Sequence, residues 1–462
     1  MVVLKFGGTS VGEVESIRRV AGIIAAERRS RVVVVSALAG VTDALLNLAA
    51  AGATIPGNPP PRNLDLLLRR HLAAAEMIRE RAARAALQHE LYAIGAQVAA
   101  TLEAAPGRLS ARSIDEVAAA GELWSSRLLA AVLHDSGLAS TWIDARGVMR
   151  TNGHHGGAAP DLVATREACV RLLRPQLDRG DIVVLGGFIG SDAKGATTTL
   201  GRGGSDCSAA VLGACLGAEE IQIWTDVDGI MTADPRQVSH ARVVPHLSYG
   251  EAHDLASFGA KVLHPGTIAP AVDCAIPVVV RNSQRPDGSG TVVSAARTAA
   301  DARPVAGLAC GAGVSLFEVI AHERADVDEF VSRVFGELEL ADVEAILADL
   351  CGNRLVFTVQ AAPALDLLRR SLAKFADVRV TDGLATVTVV GEGLSANPHF
   401  AADAAGALRD LRVHLVAQPD GKRTLSLVVD ATEAITAVSR LHDWYFGGAR
   451  RRKAAQTSMV QA

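Results

Sequence analysis

Short apolar, β-branched runs alternate with stretches of helical spacing from the first residue onward, and no other feature constrains the fold of this chain as strongly. Residues 2–6 read as a strand, Gly7-Gly8-Thr9-Ser10 as a turn and residues 14–26 as a helix. Residues 32–35 are consecutive valines, the pattern of a strand buried on both faces of a parallel sheet. A break at Gly40 leads into helical spacing over 42–50. This order predicts a layered α/β domain with a largely parallel central sheet. Further strands are expected over 141–144, 182–189, 221–225 and 277–281. A Pro- and Gly-rich loop at 52–62 precedes an expected helical hairpin over 64–104, and a helix over 113–135 carries Gly121-Glu122.

The 462 residues leave room for more than one domain. Composition shifts near 295–303, and beyond it short strands and helices alternate. Strands are expected near 314–321, 342–348, 354–360, 377–382, 385–391, 411–417 and 424–430. Helices are expected near 326–338, 363–375, 400–410 and 431–446. Gly307-Leu308-Ala309 is echoed by Gly383-Leu384-Ala385, which predicts two small βαββαβ units. The expected divisions are 1–295, 303–382 and 383–447, followed by a solvated basic tail over 448–462 that carries Arg450-Arg451-Arg452-Lys453.

At 49% hydrophobic residues, wholesale disorder is excluded, and a net charge of −4 gives no electrostatic reason to expect nucleic acid or an acidic membrane as partner. No apolar run approaches the ~18–20 residues that span a bilayer, and the first residues lack a signal-peptide layout, so the chain reads as soluble and cytoplasmic. The six cysteines form no CxxC pair and read as small buried hydrophobes.

Three glycine-bearing clusters could carry chemistry. Lys5-Phe6-Gly7-Gly8-Thr9-Ser10 lacks Walker A spacing, yet a lysine ending a buried strand, two glycines and a nearby helix start suit a phosphate. The plainer reading is a strand-to-helix turn. In 197–206, Arg202 stands among three glycines before Ser205-Asp206. Ser205 or Asp206 could simply cap the following helix, but a cap needs no arginine, whose planar fork suits a carboxylate. Trp224-Thr225-Asp226-Val227-Asp228-Gly229 fails the spacing of a calcium loop; with Met231 and Arg236 it suits a nucleotide, or else an Asx turn before Pro235. His154-His155 has no ligand-spaced partner and reads as non-metal. Lys261, in Phe258 through Pro265, could add a cation or be a surface lysine.

Together these segments closely resemble aspartokinases of the amino-acid kinase family. The resemblance rests on Lys5 through Ser10, Val35-Ser36-Ala37 with Gly40-Val41-Thr42, Gly121-Glu122, Gly187-Phe188-Ile189-Gly190, Thr199 through Asp206, Trp224 through Arg236 and Phe258 through Pro265. It implies the amino-acid kinase fold followed by two ferredoxin-like ACT units, and transfer of the γ-phosphoryl of Mg·ATP to the β-carboxylate of L-aspartate. No metal site from the protein itself is implied, since Mg2+ arrives with ATP. Lys5 would bridge the phosphates, Asp206 would organise the cationic side, and Gly7, Gly8 and Ser10 would supply donors. Arg202 would hold the α-carboxylate and Glu122 the ammonium. Ser36, Thr42, Phe188, Thr199, Gly203, Gly204 and Ser205 would complete the aspartate pocket. Thr225, Asp226, Met231, Arg236 and Lys261 would hold the nucleotide. No fused homoserine dehydrogenase is expected, and the ACT units imply a homodimer or dimer of dimers.

Departures concentrate in the second half. The stretch 322–329 is acidic and glycine-free where relatives place a glycine-containing effector loop, and the serine-rich strand after the next helix is replaced by 341–346; Val416 through Gly421 lacks the same serines. Inhibition by lysine or threonine is therefore expected to be lost, weakened or retargeted. Alternatives are a kinase for glutamate, N-acetylglutamate or UMP, and an amino-acid sensor with a dead kinase domain.

Overall fold

The computed structural model describes residues 1–51, 62–104, 108–260, 265–296, 303–322, 326–396, 399–418 and 423–447. The expected loop at 52–62 (bar its last residue), Lys261, the middle of the 295–303 linker, residues 323–325 and 419–421, and the basic tail lie outside them. Two compact units are present. The first comprises Met1–Ile230, Pro245–Tyr249 and Leu263–Arg297, and the second Met231–Val244, Gly250–Val262 and Thr298–Ala462.

The first unit is built on β1 (Val2–Phe6), β2 (Arg31–Val35), β3 (Ser140–Trp142), β4 (Ile182–Gly186), β7 (Glu220–Thr225), β8 (His246–Ser248), β9 (Val278–Asn282) and β10 (Thr291–Ser294). A two-residue turn separates β4 from a small hairpin of β5 (Ile189–Ser191) and β6 (Thr197–Thr199). The large sheet runs β3-β4-β2-β1-β7-β9-β10-β8, parallel from β3 through β9, with β10 antiparallel to β9. Every residue of β1 and β4 is buried, as expected where helices cover both faces.

Alternation along the strands decides which side each residue serves. Val2, Leu4, Phe6, Val33 and Val35 join one core with helices Val14–Ala26, Val41–Ala51, Arg62–Ala75, Arg81–Glu103 and Ala111–Asp135. Lys5 therefore projects to the opposite face, where helix Gly204–Leu216 packs against β1. The expected hairpin over 64–104 is the pair Arg62–Ala75 and Arg81–Glu103. The expected strand over 182–189 is interrupted at Gly187-Phe188, because Phe188 takes a positive φ of 64° that no strand residue adopts.

The second unit holds one antiparallel sheet in the order β12-β13-β11-β14-β16-β15, with β11 (Gly307–Ala321), β12 (Ala345–Cys351), β13 (Arg354–Gln360), β14 (Ala376–Val390), β15 (Val413–Ala417) and β16 (Thr424–Asp430). The strands expected over 377–382 and 385–391 are a single strand: the ladder to β11 runs on past Gly383 with only a register shift. The echoed tripeptides do not face each other across that ladder: Leu308 opposes Val389, and Leu384 opposes Val314. Residues 307–312 thus pair with the second repeat while 314–321 pair with the first, so the two repeats interleave along the chain. Segments preceding residue 295 also belong to this unit: Leu308 N–H donates to the Thr232 carbonyl (2.8 Å), Glu392 N–H to Glu251 Oε1 (3.0 Å), and Arg423 Nε to Asp254 Oδ2 (3.0 Å).

Candidate active site

Parallel strands end on a common edge. Register aligns Phe6 with Val35 and Trp224, Val35 with Gly186, and Thr225 with Asn282, so the loops that follow meet above one rim of the sheet. A crevice outside the carboxyl ends of such strands is the usual ligand position in open α/β sheets. A cleft of about 570 Å³ opens there. It is lined by Lys5, Gly8, Ser36, Thr42, Glu122, Phe188, Thr199, Arg202, Gly203, Gly204, Ser205 and Asp206, together with Asp43, Asp115, Gly156 and residues 37–40.

Lys5 is 9% exposed and places its Nζ 2.6 Å from Asp206 Oδ1. Asp206 sits in the first turn of helix Gly204–Leu216, at the positive end of the helix dipole. The helix is capped by Gly203 at a φ of 72°, with no side-chain cap bond; Ser205 and Asp206 lie inside the first turn, not at the cap position. The glycines here also serve close approach. A Cβ on Gly203 would lie 2.5 Å from Thr267 Cγ2, one on Gly204 2.7 Å from the Phe188 ring, and one on Gly187 2.7 Å from Ser205 Cβ. The strained Phe188 is held from both sides: its N–H donates to Ser208 Oγ (3.0 Å) and its carbonyl accepts from Leu200 N–H (2.9 Å).

Gly8 lines the same cleft, and a Cβ there would meet the Ala37 carbonyl oxygen at 2.7 Å. Gly8→Ala is expected to push apart the 7–10 and 36–40 turns, destabilising the fold by about 1–3 kcal/mol and lowering kcat/KM at least tenfold. Thermal denaturation and steady-state kinetics check both; wild-type values in each would show the two turns to be independent.

Glu122 is 2% exposed. Its Oε1 accepts from Ala37 N–H at 3.1 Å, while Oε2 is buried with no hydrogen-bond partner among the described residues. Burial pushes its carboxyl up to about 8. An unpaired buried carboxylate oxygen beside a cleft is a receptor for a cationic group. Arg202 is exposed at the cleft and forms no ion pair among the described residues.

Sequence reasoning missed Asp115. It is buried, and its carboxylate accepts from Thr199 Oγ1 (2.5 Å) and Gly156 N–H (3.1 Å) and lies 2.8 Å from His155 Nδ1. Glycine-rich 152–157 is thereby tied to the cleft wall. The one available signal was the seven-residue spacing of Asp115 and Glu122, which puts both on one helix face.

Several expected nucleotide contacts stand elsewhere. Ser10 is buried, its hydroxyl 2.7 Å from Ser283 Oγ and 3.3 Å from the Trp224 carbonyl, and Gly7 N–H also donates to that carbonyl (3.0 Å). Both residues fasten the turn to the end of β7. Thr225 ends β7 on the same rim and donates through its hydroxyl to Asp226 Oδ1 (3.1 Å), but neither residue lines the cleft. Met231 and Arg236 fall in the second unit, where Arg236 Nη2 lies 2.6 Å from Asp234 Oδ2.

The parallel sheet, the lysine rising from its first strand and the glycine-flanked helix start define a member of the amino acid kinase family, and residues 1–282 match the amino acid kinase family model. Residues 387–445 match an ACT domain model. The chain is 34% identical over 458 residues to the lysine-sensitive aspartokinase 3 of Escherichia coli (strain K12), covering 96% of this chain and 99% of that one. The crystal structure of E. coli aspartokinase III with aspartate and ADP in the R-state superimposes with a TM-score of 0.82 at 33% identity, over 96% of this chain and 100% of that one. The same enzyme with lysine and aspartate in the T-state gives a TM-score of 0.81 at 33% identity, over 96% and 99%. The chain belongs to the aspartokinases.

Proposed function

We propose that this chain is an aspartate kinase that transfers the γ-phosphoryl group of Mg·ATP to the β-carboxylate of L-aspartate, giving 4-phospho-L-aspartate and ADP. The observation that carries the reading is the convergence of Lys5, Asp206, Glu122 and Arg202 on one cleft. A free α-amino acid needs an anion for its ammonium and a forked cation for its α-carboxylate, and Glu122 and Arg202 supply them. The side-chain carboxylate is then left for Lys5 and the phosphates. It is ionised at pH 7, so no general base is required, and catalysis rests on positioning and on neutralising the transferring charge. On this reading Thr225 and Asp226, at the carboxyl end of β7, hold the nucleotide.

Trapping the acyl phosphate with hydroxylamine tests this. Aspartyl hydroxamate should form only with ATP, Mg2+ and L-aspartate together, and not with L-glutamate, N-acetylglutamate or UMP as acceptor. Turnover of another acceptor, or none of any, would overturn the proposal.

Among the described residues no helix is long and apolar enough to cross a membrane. Six free thiols accord with the reducing cytoplasm, where we place the enzyme. Pairing of chains through the ACT units remains the family expectation, as homodimer or dimer of dimers. Lysine sensitivity is a named property of the E. coli relative. In this chain Asp326 caps helix Val327–Leu340 by accepting from Asp328 N–H (2.9 Å), with Asp328 and Glu329 in the first turn. Those carboxylates already occupy the helix start and repel the carboxylate of an amino-acid effector. Activity is expected to stay flat against millimolar lysine and threonine, singly and combined; strong inhibition by either would restore ordinary feedback.

A further inference from the structure

Within the second unit, segment Met231–Val244 meets the last helix, Ala434–Phe446, through two histidines and an aspartate. His240 Nε2 lies 3.0 Å from Asp443 Oδ1 and 3.2 Å from His442 Nδ1, and the three donor atoms fall within 4.8 Å of one another. We propose that His240, His442 and Asp443 form a site for a divalent transition metal of the Zn2+ class, which would clip the 231–244 segment to the C-terminal helix.

The argument is geometric. A tetrahedral ion at about 2.0–2.1 Å from each donor sets adjacent donors roughly 3.3 Å apart, and the two spacings from His240 Nε2, 3.0 and 3.2 Å, match this. His240 Nε2 faces both Asp443 Oδ1 and His442 Nδ1 and can satisfy them with one proton at most, whereas a cation engages a lone pair from all three atoms at once. The buried His442 is also oriented as a metal-binding histidine is. Its other nitrogen, Nε2, lies 2.9 Å from Thr232 Oγ1, and that hydroxyl in turn accepts from Arg242 N–H at 3.0 Å. The hydroxyl has a second lone pair to accept from His442 Nε2–H, and that tautomer leaves Nδ1 free to coordinate. Arg242 is held through Nη2 on the Phe446 carbonyl (2.9 Å), so its guanidinium is committed to the end of the helix. His240 is exposed and Asp443 half-buried, which leaves a path for an ion and room for a water as fourth ligand.

The test is Zn2+ and Co2+ titration of the full chain, freed of metal and nucleotide, by calorimetry and visible absorption. One tight equivalent per chain is expected, with the strong visible bands of four-coordinate Co2+ and a raised Tm. His240→Ala and Asp443→Asn, both at accessible positions, should abolish the tight equivalent, and Thr232→Val should weaken it about 10–100-fold. Cys274→Ser with Cys351→Ser, which removes the two exposed thiols, should leave it intact. A tight equivalent that survives His240→Ala, or that disappears with the thiols, would overturn the proposal, as would its absence from the wild type.

Discussion

Lys5→Ala is expected to lower kcat by about 10²–10³-fold while the protein remains folded. Among the described residues, Lys5 is the one cation that the parallel sheet itself delivers to the cleft, on the face away from the Val2, Leu4 and Phe6 core. Its ammonium is largely desolvated and held 2.6 Å from Asp206, so in the proposed reaction it would meet charge developing on the transferring phosphoryl group without reorganising water. Loss of such a preorganised donor corresponds to about 3–4 kcal/mol of barrier. Stability changes less. Asp206 loses its partner but keeps the N-terminal field of helix Gly204–Leu216, and with 17% of its side chain exposed it reaches water. A loss of about 1–2 kcal/mol is expected. Lys5→Arg should not restore the rate, since a planar fork cannot occupy the position of a point charge. Single-turnover kinetics with thermal denaturation separates the two effects; a kcat within tenfold of wild type in folded Lys5→Ala would remove Lys5 from the chemistry.

The same residue shows how far sequence patterning reaches. Lysine at the end of a buried strand, followed by two glycines, specifies both the face and the rim, and strands β13 and β16 fall where alternation puts them. Local signals fail where a long-range partner overrides them. Gly383, at a φ of 73°, carries every mark of a turn, yet the continuous partner β11 draws both flanks into one strand. Ser10 has the chemistry of a phosphate donor, and only the arrival of Ser283 from far along the chain shows its hydroxyl to be engaged. Asp115 and His155 meet across 40 positions, a pairing that no spacing rule encodes. Segment 231–244 reads as part of the first domain because it follows β7, and its membership of the second unit depends on backbone and side-chain bonds to β11 and to the last helix.

Glu122 ties stability and substrate affinity to pH in opposite directions. Its carboxyl is raised by burial from 4.5 to about 8 in the folded protein. Between those values the native state keeps a proton that the unfolded chain has released, so the stability contributed by Glu122 is full below about pH 4.5 and declines until about pH 8. Glu122→Gln lacks that ionisation, and its Tm should rise relative to wild type across the same interval, with the largest gap at pH 8 and above. Aspartate binding runs the other way. If the ammonium of the substrate pairs with the ionised carboxylate, as proposed, KM for aspartate should fall as pH rises from 6 to 8, by at most about tenfold per unit. Binding at pH 7 should release close to one proton per site, measured as a buffer-dependent enthalpy in calorimetry. Glu122→Gln should raise KM about 10²-fold, make it insensitive to pH over that range and eliminate the proton release, because the amide carries no charge to offer the ammonium. A wild-type KM independent of pH, without proton release, would show that the ammonium is received elsewhere and that the unpaired Oε2 beside the cleft has another partner.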